Sequence, residues 1–129
     1  MVERIINATE VKKGTNILID NEPFTVKKLD ISKTGKHGHS KVKIEADAIF
    51  KTKREVFVVP GHEKLQVPSL SKRKGQILSI EGDIASVMDI ETFETLEMKI
   101  PEELKSELSE NMNVEFWEIG EQRIIKRKV

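Results

Sequence analysis

The 129-residue chain has no cysteine and no tyrosine, one tryptophan and five phenylalanines. Without cysteine it forms neither disulfides nor thiolate metal sites, a composition that fits a reducing compartment. So few aromatics leave little for a stacking surface. No apolar run approaches the ~20 residues a helix needs to cross a bilayer. The opening MVERIINATE carries Glu3 and Arg4 where a secretory signal has its apolar core, so no signal peptide is expected. An excess of either charge is also lacking, with 22 Lys+Arg against 22 Asp+Glu. That balance hides an asymmetry. Residues 1–68 hold 13 cations against 9 acids, and residues 69–129 hold 9 against 13. The asymmetry is either ordinary solvated charge or the mark of a half that meets a polyanion.

What the chain does have is short strand-like runs punctuated by turns. TNILID leads through NEP, a turn signal, into FTVKKLDIS. In the latter run Phe24 and Val26 share one parity and Leu29 and Ile31 the other, so a β-bulge is expected around Lys27-Lys28. KVKIEADAIF alternates cleanly. Val42, Ile44, Ala46 and Ala48 face one way, and Lys41, Lys43, Glu45 and Asp47 the other. EVFVVP is a further strand. VPSLSKRKGQ reads as a linker. After it come the strands QILSIEGD, IASVMDIE and TLEMKIP, a helix in PEELKSELSENM with Leu104, Leu108 and Met112 at i, i+4 spacing, and closing strands NVEFWEIG and QRIIKRKV. Many short strands favour closure into barrels, which removes exposed edges. The expected fold is all-β with two small domains, residues 1–68 and 69–129. The second, with one short helix late in its order, fits a five-stranded oligonucleotide-binding (OB-fold) barrel.

Between two of these strands lies SKTGKHGHSK, residues 32–41. Glycines flank Lys36-His37, and no carboxylate occurs from Ile31 to Ile44. A phosphate-binding P-loop needs glycine where Asp30 stands and Ser or Thr where His37 stands, so that reading fails. A zinc site from His37, His39 and His62 is disfavoured because His62 sits in a separate Pro-Gly turn and nearby lysines repel a dication. Histidine acid–base catalysis lacks an orienting carboxylate and has only Thr34 and Ser40 nearby. An enzyme is therefore not expected, and no cofactor is implied. Nucleic-acid contact fits better. Gly35 and Gly38 allow close backbone approach. Lys33, Lys36 and Lys41 supply charges for phosphates, and the imidazoles can stack on or hydrogen-bond to RNA. A solvated hairpin tip is the alternative. These considerations do not single out one of the three lysines.

The second half offers a rival: a general single-stranded RNA-binding protein or RNA chaperone working through its barrel. Only Phe93, Phe116 and Trp117 are available there for stacking. Residues 75–122 hold 13 acids against Lys99 and Lys105, which excludes a polyanion groove through the middle of the domain. Its cations gather at the ends, in Lys72, Arg73 and Lys74 and in Arg123, Lys126, Arg127 and Lys128. They either lie on one side of the barrel or form a solvated edge, and the solvated edge is the favoured reading.

The run Ser32-Lys33-Thr34-Gly35-Lys36-His37-Gly38-His39 closely resembles the signature of the translation initiation factor 5A family, which is related to bacterial elongation factor P. The resemblance extends over nearly the whole chain, through KVKIEADAIF and VPSLSKRKGQIL. The short N-terminus and the lack of a long C-terminal helix resemble archaeal members. Ser40 stands where many eukaryotic members have alanine. The resemblance implies an SH3-like barrel, residues 1–68, carrying the modified-lysine loop, followed by the OB-fold domain, residues 69–129.

It also implies a function. The lysine matching Lys36 is converted to hypusine or deoxyhypusine by deoxyhypusine synthase, which transfers an aminobutyl group from spermidine. The family binds the ribosome between the P and E sites. The modified side chain contacts the acceptor end of the P-site transfer RNA and promotes peptide-bond formation at stalled sequences such as proline runs. The resemblance thus makes Lys36 the modified residue. It leaves Lys33, Thr34, Gly35, His37, Gly38, His39 and Ser40 to touch RNA or the modifying enzyme. The expected protein is a cytoplasmic, monomeric, non-enzymatic translation factor. Its partners are the ribosome, ribosomal RNA, transfer RNA and deoxyhypusine synthase, with no membrane involved.

Overall fold

The computed structural model describes residues 2–34 and 39–129 and is built almost entirely of strands. They fall into two compact units, Met1–Ser69 and Leu70–Val129. No described helix is long and apolar enough to cross a membrane.

The first unit is SH3-like. Strands β2 (Asn16–Ile19), β3 (Glu22–Thr34), β4 (His39–Ala48) and β5 (Arg54–Pro60) form an antiparallel sheet in chain order. Strands β1 (Val2–Asn7) and β6 (Lys64–Pro68) form a separate ribbon. Neither ribbon strand stands out in the sequence. Each is short and contributes few buried side chains, so neither shows a strong two-residue period. The core is common to both sheets. Ile6 from β1 and Val67 from β6 pack with Ile17, Phe24, Val26, Val42, Ile44 and Ala46. Asp20 and Asn21 make the two-residue turn between β2 and β3, with φ of 51° and 66°. Positive φ at both positions matches the right-handed twist of the flanking strands. The β3–β4 register shifts between Val26 and Lys28, the bulge that the parity change anticipated. It turns Leu29 back toward the core.

In the second unit, β7 (Ser71–Glu81), β8 (Ile84–Asp89), β9 (Thr95–Lys99), β10 (Asn113–Ile119) and β11 (Gln122–Lys128) close into a barrel. The pairing runs β7-β8-β9-β11-β10 and back to β7, with β9 and β11 parallel. This is the five-stranded OB-fold arrangement. Its core holds Ile77, Ala85, Val87, Met98, Ile100, Val114, Phe116 and Ile125.

Two expectations for this unit are corrected. The linker expected over VPSLSKRKGQ shrinks to Ser69 and Leu70, because Ser71–Gln76 pair with β10. The Lys-Arg-Lys run looked like a loop because it lacks apolar residues, but Trp117 and Phe116 across the ladder supply the apolar surface. The helix expected over PEELKSELSENM is a single 3₁₀ turn, Glu102–Leu104, followed by further turns. The N–H groups of Leu104, Lys105, Glu107 and Met112 each donate three residues back. Isolated helices of this length are marginal, and Asn111 breaks the run with φ of 70°. The i, i+4 apolar triad nevertheless serves its purpose. Leu108 is buried, and Leu104 and Met112 pack on the same core.

Gly75 sits in β7 between β8 and β10, paired with Asp89 on one side and Val114 on the other. A Cβ there would overlap Val87 Cγ1, approach the Met88 carbonyl oxygen to 2.8 Å and meet Phe116 Cε1 at 3.2 Å. Because one obstacle is backbone, the strand must move. Gly75→Ala is therefore expected to destabilise the second unit by about 1–3 kcal/mol. Urea unfolding followed by fluorescence of Trp117, the sole tryptophan, reads that unit alone; an unchanged midpoint would refute the close-packing account.

Candidate functional site

The hairpin β3–β4 carries the signature segment. Its ladder continues through Ile31↔Val42, Ser32↔Lys41 and Lys33↔Ser40 to Thr34↔His39. Four residues of the chain therefore connect two paired strands. The expectations placed on Gly35, Lys36, His37 and Gly38 lie outside the described residues, as do those on the side chains of Thr34 and His39.

The described base of the hairpin is informative. Along β4, Val42, Ile44 and Ala46 are fully buried, so Lys41 and Lys43 must face out. On β3 the alternation ends at Leu29. Asp30, Ile31, Ser32 and Lys33 are all exposed, and Ile31 is 48% exposed although it pairs with buried Val42. This part of β3 thus extends past the core as an arm. Among the described residues, no ion pair engages Lys33, Lys41 or Lys43.

The acids of β4 lie at its other end. Asp47 accepts from Arg54 Nε at 2.7 Å and from Nη2 at 3.1 Å. That bidentate hydrogen bond, with the guanidinium charge, holds the Asp47 carboxyl below its ordinary range. The hairpin is therefore electrostatically graded, with neutralised charge at one end and unpaired cations toward the signature segment.

A second segment buttresses the base. The N–H of Gly61 donates to the Ser40 carbonyl at 2.8 Å, and its carbonyl accepts from Thr9 N–H at 3.3 Å. A Cβ on Gly61 would come within 2.9 Å of Ser40 Cβ and 2.7 Å of Thr9 Cγ2. Beside it, Ser40, Lys41, Val58, Val59, Pro60 and His62 line a cleft of about 360 Å³. His62, set apart in the sequence analysis, thus stands next to Ser40. Neither Gly61 nor His62 was singled out as functional. The signal was the pairing of β5 with β4, which carries the Pro60-Gly61 turn back to the hairpin base.

The two basic clusters of the second unit lie on the strands either side of β10, and Lys72, Lys74, Arg127 and Lys128 among them remain exposed to solvent. Lys72 and Lys126 lie 5.2 and 4.4 Å from the centroid of the Trp117 ring. Glu118 pairs with both Arg73, at 3.4 Å, and Arg123, at 2.6 Å. The spacing hid this because the clusters are about fifty residues apart in sequence; β10 brings them together by pairing with β7 on one side and β11 on the other. Trp117 is only 8% exposed and Phe116 is fully buried, so neither presents an open stacking face.

Comparison with known proteins accords with this geometry. Residues 4–63 match the family model described as translation initiation factor 5A-like, N-terminal. Translation initiation factor 5A of Korarchaeum cryptofilum is 35% identical over 125 residues, covering 95% of this chain and 93% of that protein. The factor of the same name from Archaeoglobus fulgidus is 35% identical over 122 residues, covering 95% of each. A solved structure described as eukaryotic translation initiation factor 5A from Methanococcus jannaschii superposes with a TM-score of 0.88. It is 36% identical, over 98% of this chain and 94% of that one.

Two outcomes are expected from the hairpin base. Gly61→Ala should shift the amide resonances of Ser40 and Lys41 and lower the stability of the first unit by about 1–3 kcal/mol, while second-unit resonances stay in place; unmoved Ser40 and Lys41 signals would count against the buttress. In an NMR titration, Asp47 should titrate below other exposed carboxylates. Its depressed pKa means that its contribution to stability is present above the ordinary carboxylate pKa and is lost as pH falls through the folded value. Arg54→Gln should return it to the ordinary range, and an unaltered Asp47 titration would remove Arg54 as the cause.

Proposed function

The chain belongs to the translation initiation factor 5A family and has the role of a translation factor, and from that premise we propose that it works through a hypusine or deoxyhypusine side chain at Lys36. On this reading it binds the ribosome between the P and E sites and promotes peptide-bond formation at stalled sequences such as proline runs. Residues 1–68 present the modified lysine, and residues 69–129 form the accompanying OB-fold domain. Lys33, Thr34, Gly35, His37, Gly38, His39 and Ser40 contact ribosomal RNA, the acceptor end of the P-site transfer RNA or deoxyhypusine synthase. The protein acts in the cytoplasm as a monomer and is not an enzyme.

The observation that carries this reading is the hairpin register. Thr34↔His39 pairing leaves Gly35-Lys36-His37-Gly38 as a four-residue connection on an arm whose exposed lysines lack carboxylate partners. Such an arm can deliver one long cationic side chain into a polyanionic site. An ordinary lysine is a compact charge on a four-carbon stem. An aminobutyl extension carries charge deeper without moving the backbone. Holding a transfer RNA in a reactive pose recovers rate by orientation alone, so the factor need contribute no reacting group. Of the three aromatics of the second unit only Phe93 is open, and it stands between the exposed carboxylates Glu91 and Glu94, which weighs against a general single-strand RNA binder that relies on base stacking along a basic groove.

Lys36→Ala is expected to leave both unfolding midpoints unchanged within about 0.5 kcal/mol, as for a surface substitution, and to abolish stimulation of peptide synthesis on proline-rich templates with host ribosomes. Full stimulation by the variant would refute the assignment. Fragment mass spectra of protein from the native host should localise the added mass to Lys36.

A further inference from the structure

The connection between β8 and β9, residues 90–94, displays its apolar side chains in an unusual way. Asp89, fully buried, organises the turn. Its Oδ1 accepts the N–H groups of Glu91 at 2.8 Å and Thr92 at 3.2 Å. Its carbonyl accepts from Phe93 N–H at 2.8 Å, and its own N–H donates to the Glu94 carbonyl at 2.9 Å. Ile90 N–H donates to the Lys74 carbonyl at 3.2 Å, which ties the turn to β7. Asp89 Oδ2 faces the Arg73 guanidinium at 2.8 Å, a charge contact without a well-aligned hydrogen bond. The turn is thus fixed at both ends.

On it stands Phe93, with φ of 64°. That conformation is unfavourable for a bulky side chain and suits glycine. Phe93 is also 73% exposed, more than any other large apolar residue described. The fold therefore gains little apolar burial from this ring and bears backbone strain at the same position. Ile90, in the same turn, is 44% exposed. A strained, outward aromatic beside a second exposed apolar residue is explained by something outside the chain.

Charge indicates the kind of partner. The cations at the base of the turn are Lys74, whose carbonyl anchors Ile90, and Arg73, which is held by Asp89. The turn's own exposed charges are Glu91 and Glu94, and from Gly75 to Met98 there are six carboxylates and no Lys or Arg. Such a surface repels phosphates and attracts cations. We propose that residues 89–94 form a docking knob for a basic protein surface, with Phe93 and Ile90 entering an apolar socket and Glu91 and Glu94 meeting Lys or Arg on its rim. The proposal rests on the translation-factor reading, because it takes the socket to lie on a protein component of the ribosome, whose RNA the knob would avoid.

Binding of the labelled full chain to high-salt-washed host ribosomes tests it. Phe93→Gly should weaken binding roughly tenfold or more, the scale of an aromatic anchor, with a second-unit melting temperature equal to or above that of the wild type. Phe93→Tyr should retain binding. Glu91→Lys combined with Glu94→Lys should also weaken it. Undiminished binding by Phe93→Gly overturns the proposal. So does a lowered melting temperature in that variant, which would give the ring a structural role. Tighter binding by the double lysine variant overturns it as well, because it would mark RNA as the neighbour. A wild-type chain that ignores ribosomes fails at an earlier point: it sinks the translation-factor reading, and the knob with it.

Discussion

Strand β4 must bury every second side chain, and much of the first unit follows from that constraint. Val42, Ile44 and Ala46 are fully enclosed because that face of β4 packs into the core shared with Ile6 of β1 and Val67 of β6. The opposite parity is then committed to solvent, so Lys41 and Lys43 have no other place to go. A one-residue slip would exchange the two sets and put lysines in the core. The bulge at Val26/Lys28 and the Gly61–Ser40 contact act on the same register from two sides. What leaves the end of the sheet is therefore a paired arm of defined direction, independent of the four residues that connect its strands.

The second unit depends on a different device. Arg73 reaches from β7 to Asp89 at the end of β8 and to Glu118 on β10, and Glu118 in turn holds Arg123 of β11. Four strands of the barrel are thereby linked through one chain of alternating charge. Asp89 is fully buried while Arg73 is 27% exposed, so the carboxylate depends on its partners. A buried charge is tolerated only when paired and hydrogen-bonded. Here the Asp89 carboxylate does both, accepting two backbone N–H groups through one oxygen and meeting the guanidinium with the other. The turn that displays Phe93 thus grows out of a site the barrel cannot easily give up.

The legible parts of the sequence were those set by local period and turn chemistry. The alternation of Val42, Ile44 and Ala46 and the parity change near Lys27 survive in the structure, whereas the turn expected over NEP falls earlier, at Asp20-Asn21, because Glu22 and Pro23 already pair with Ile19 and Leu18. What was misread depended on partners far along the chain. Ser71–Gly75 looks like a linker until Trp117 and Phe116 lie across from it. PEELKSELSENM carries a helical apolar period, yet the barrel uses its three apolar residues from a string of turns. Gly61 and His62 join the hairpin base only through strand pairing, which no local pattern records. Lys36 is the opposite case. No local sequence pattern separates it from Lys33 and Lys41, and at that level its assignment comes from family resemblance alone.

The cations of the two units differ more in availability than in number. In the second unit, Arg73 and Arg123 are held by Asp89 and Glu118, Arg127 faces Glu115 and Lys128 faces Glu107. Lys72 and Lys126 lie against Trp117. Of the seven cations that looked like a basic edge, only Lys74 has no such partner among the described residues. The pairs at Arg127 and Lys128 are exposed and individually weak, but a phosphate must still compete with a carboxylate already in place. Among the described residues Lys33 and Lys41 are in no ion pair, and Lys43 stands across from Asp30 without forming one. Near neutrality of the whole chain is therefore compatible with strong local attraction for a polyanion, because screening confines each charge to about 8–10 Å. Acids elsewhere in the sequence do not cancel the hairpin; they set the second unit apart as a surface for a partner of the opposite sign.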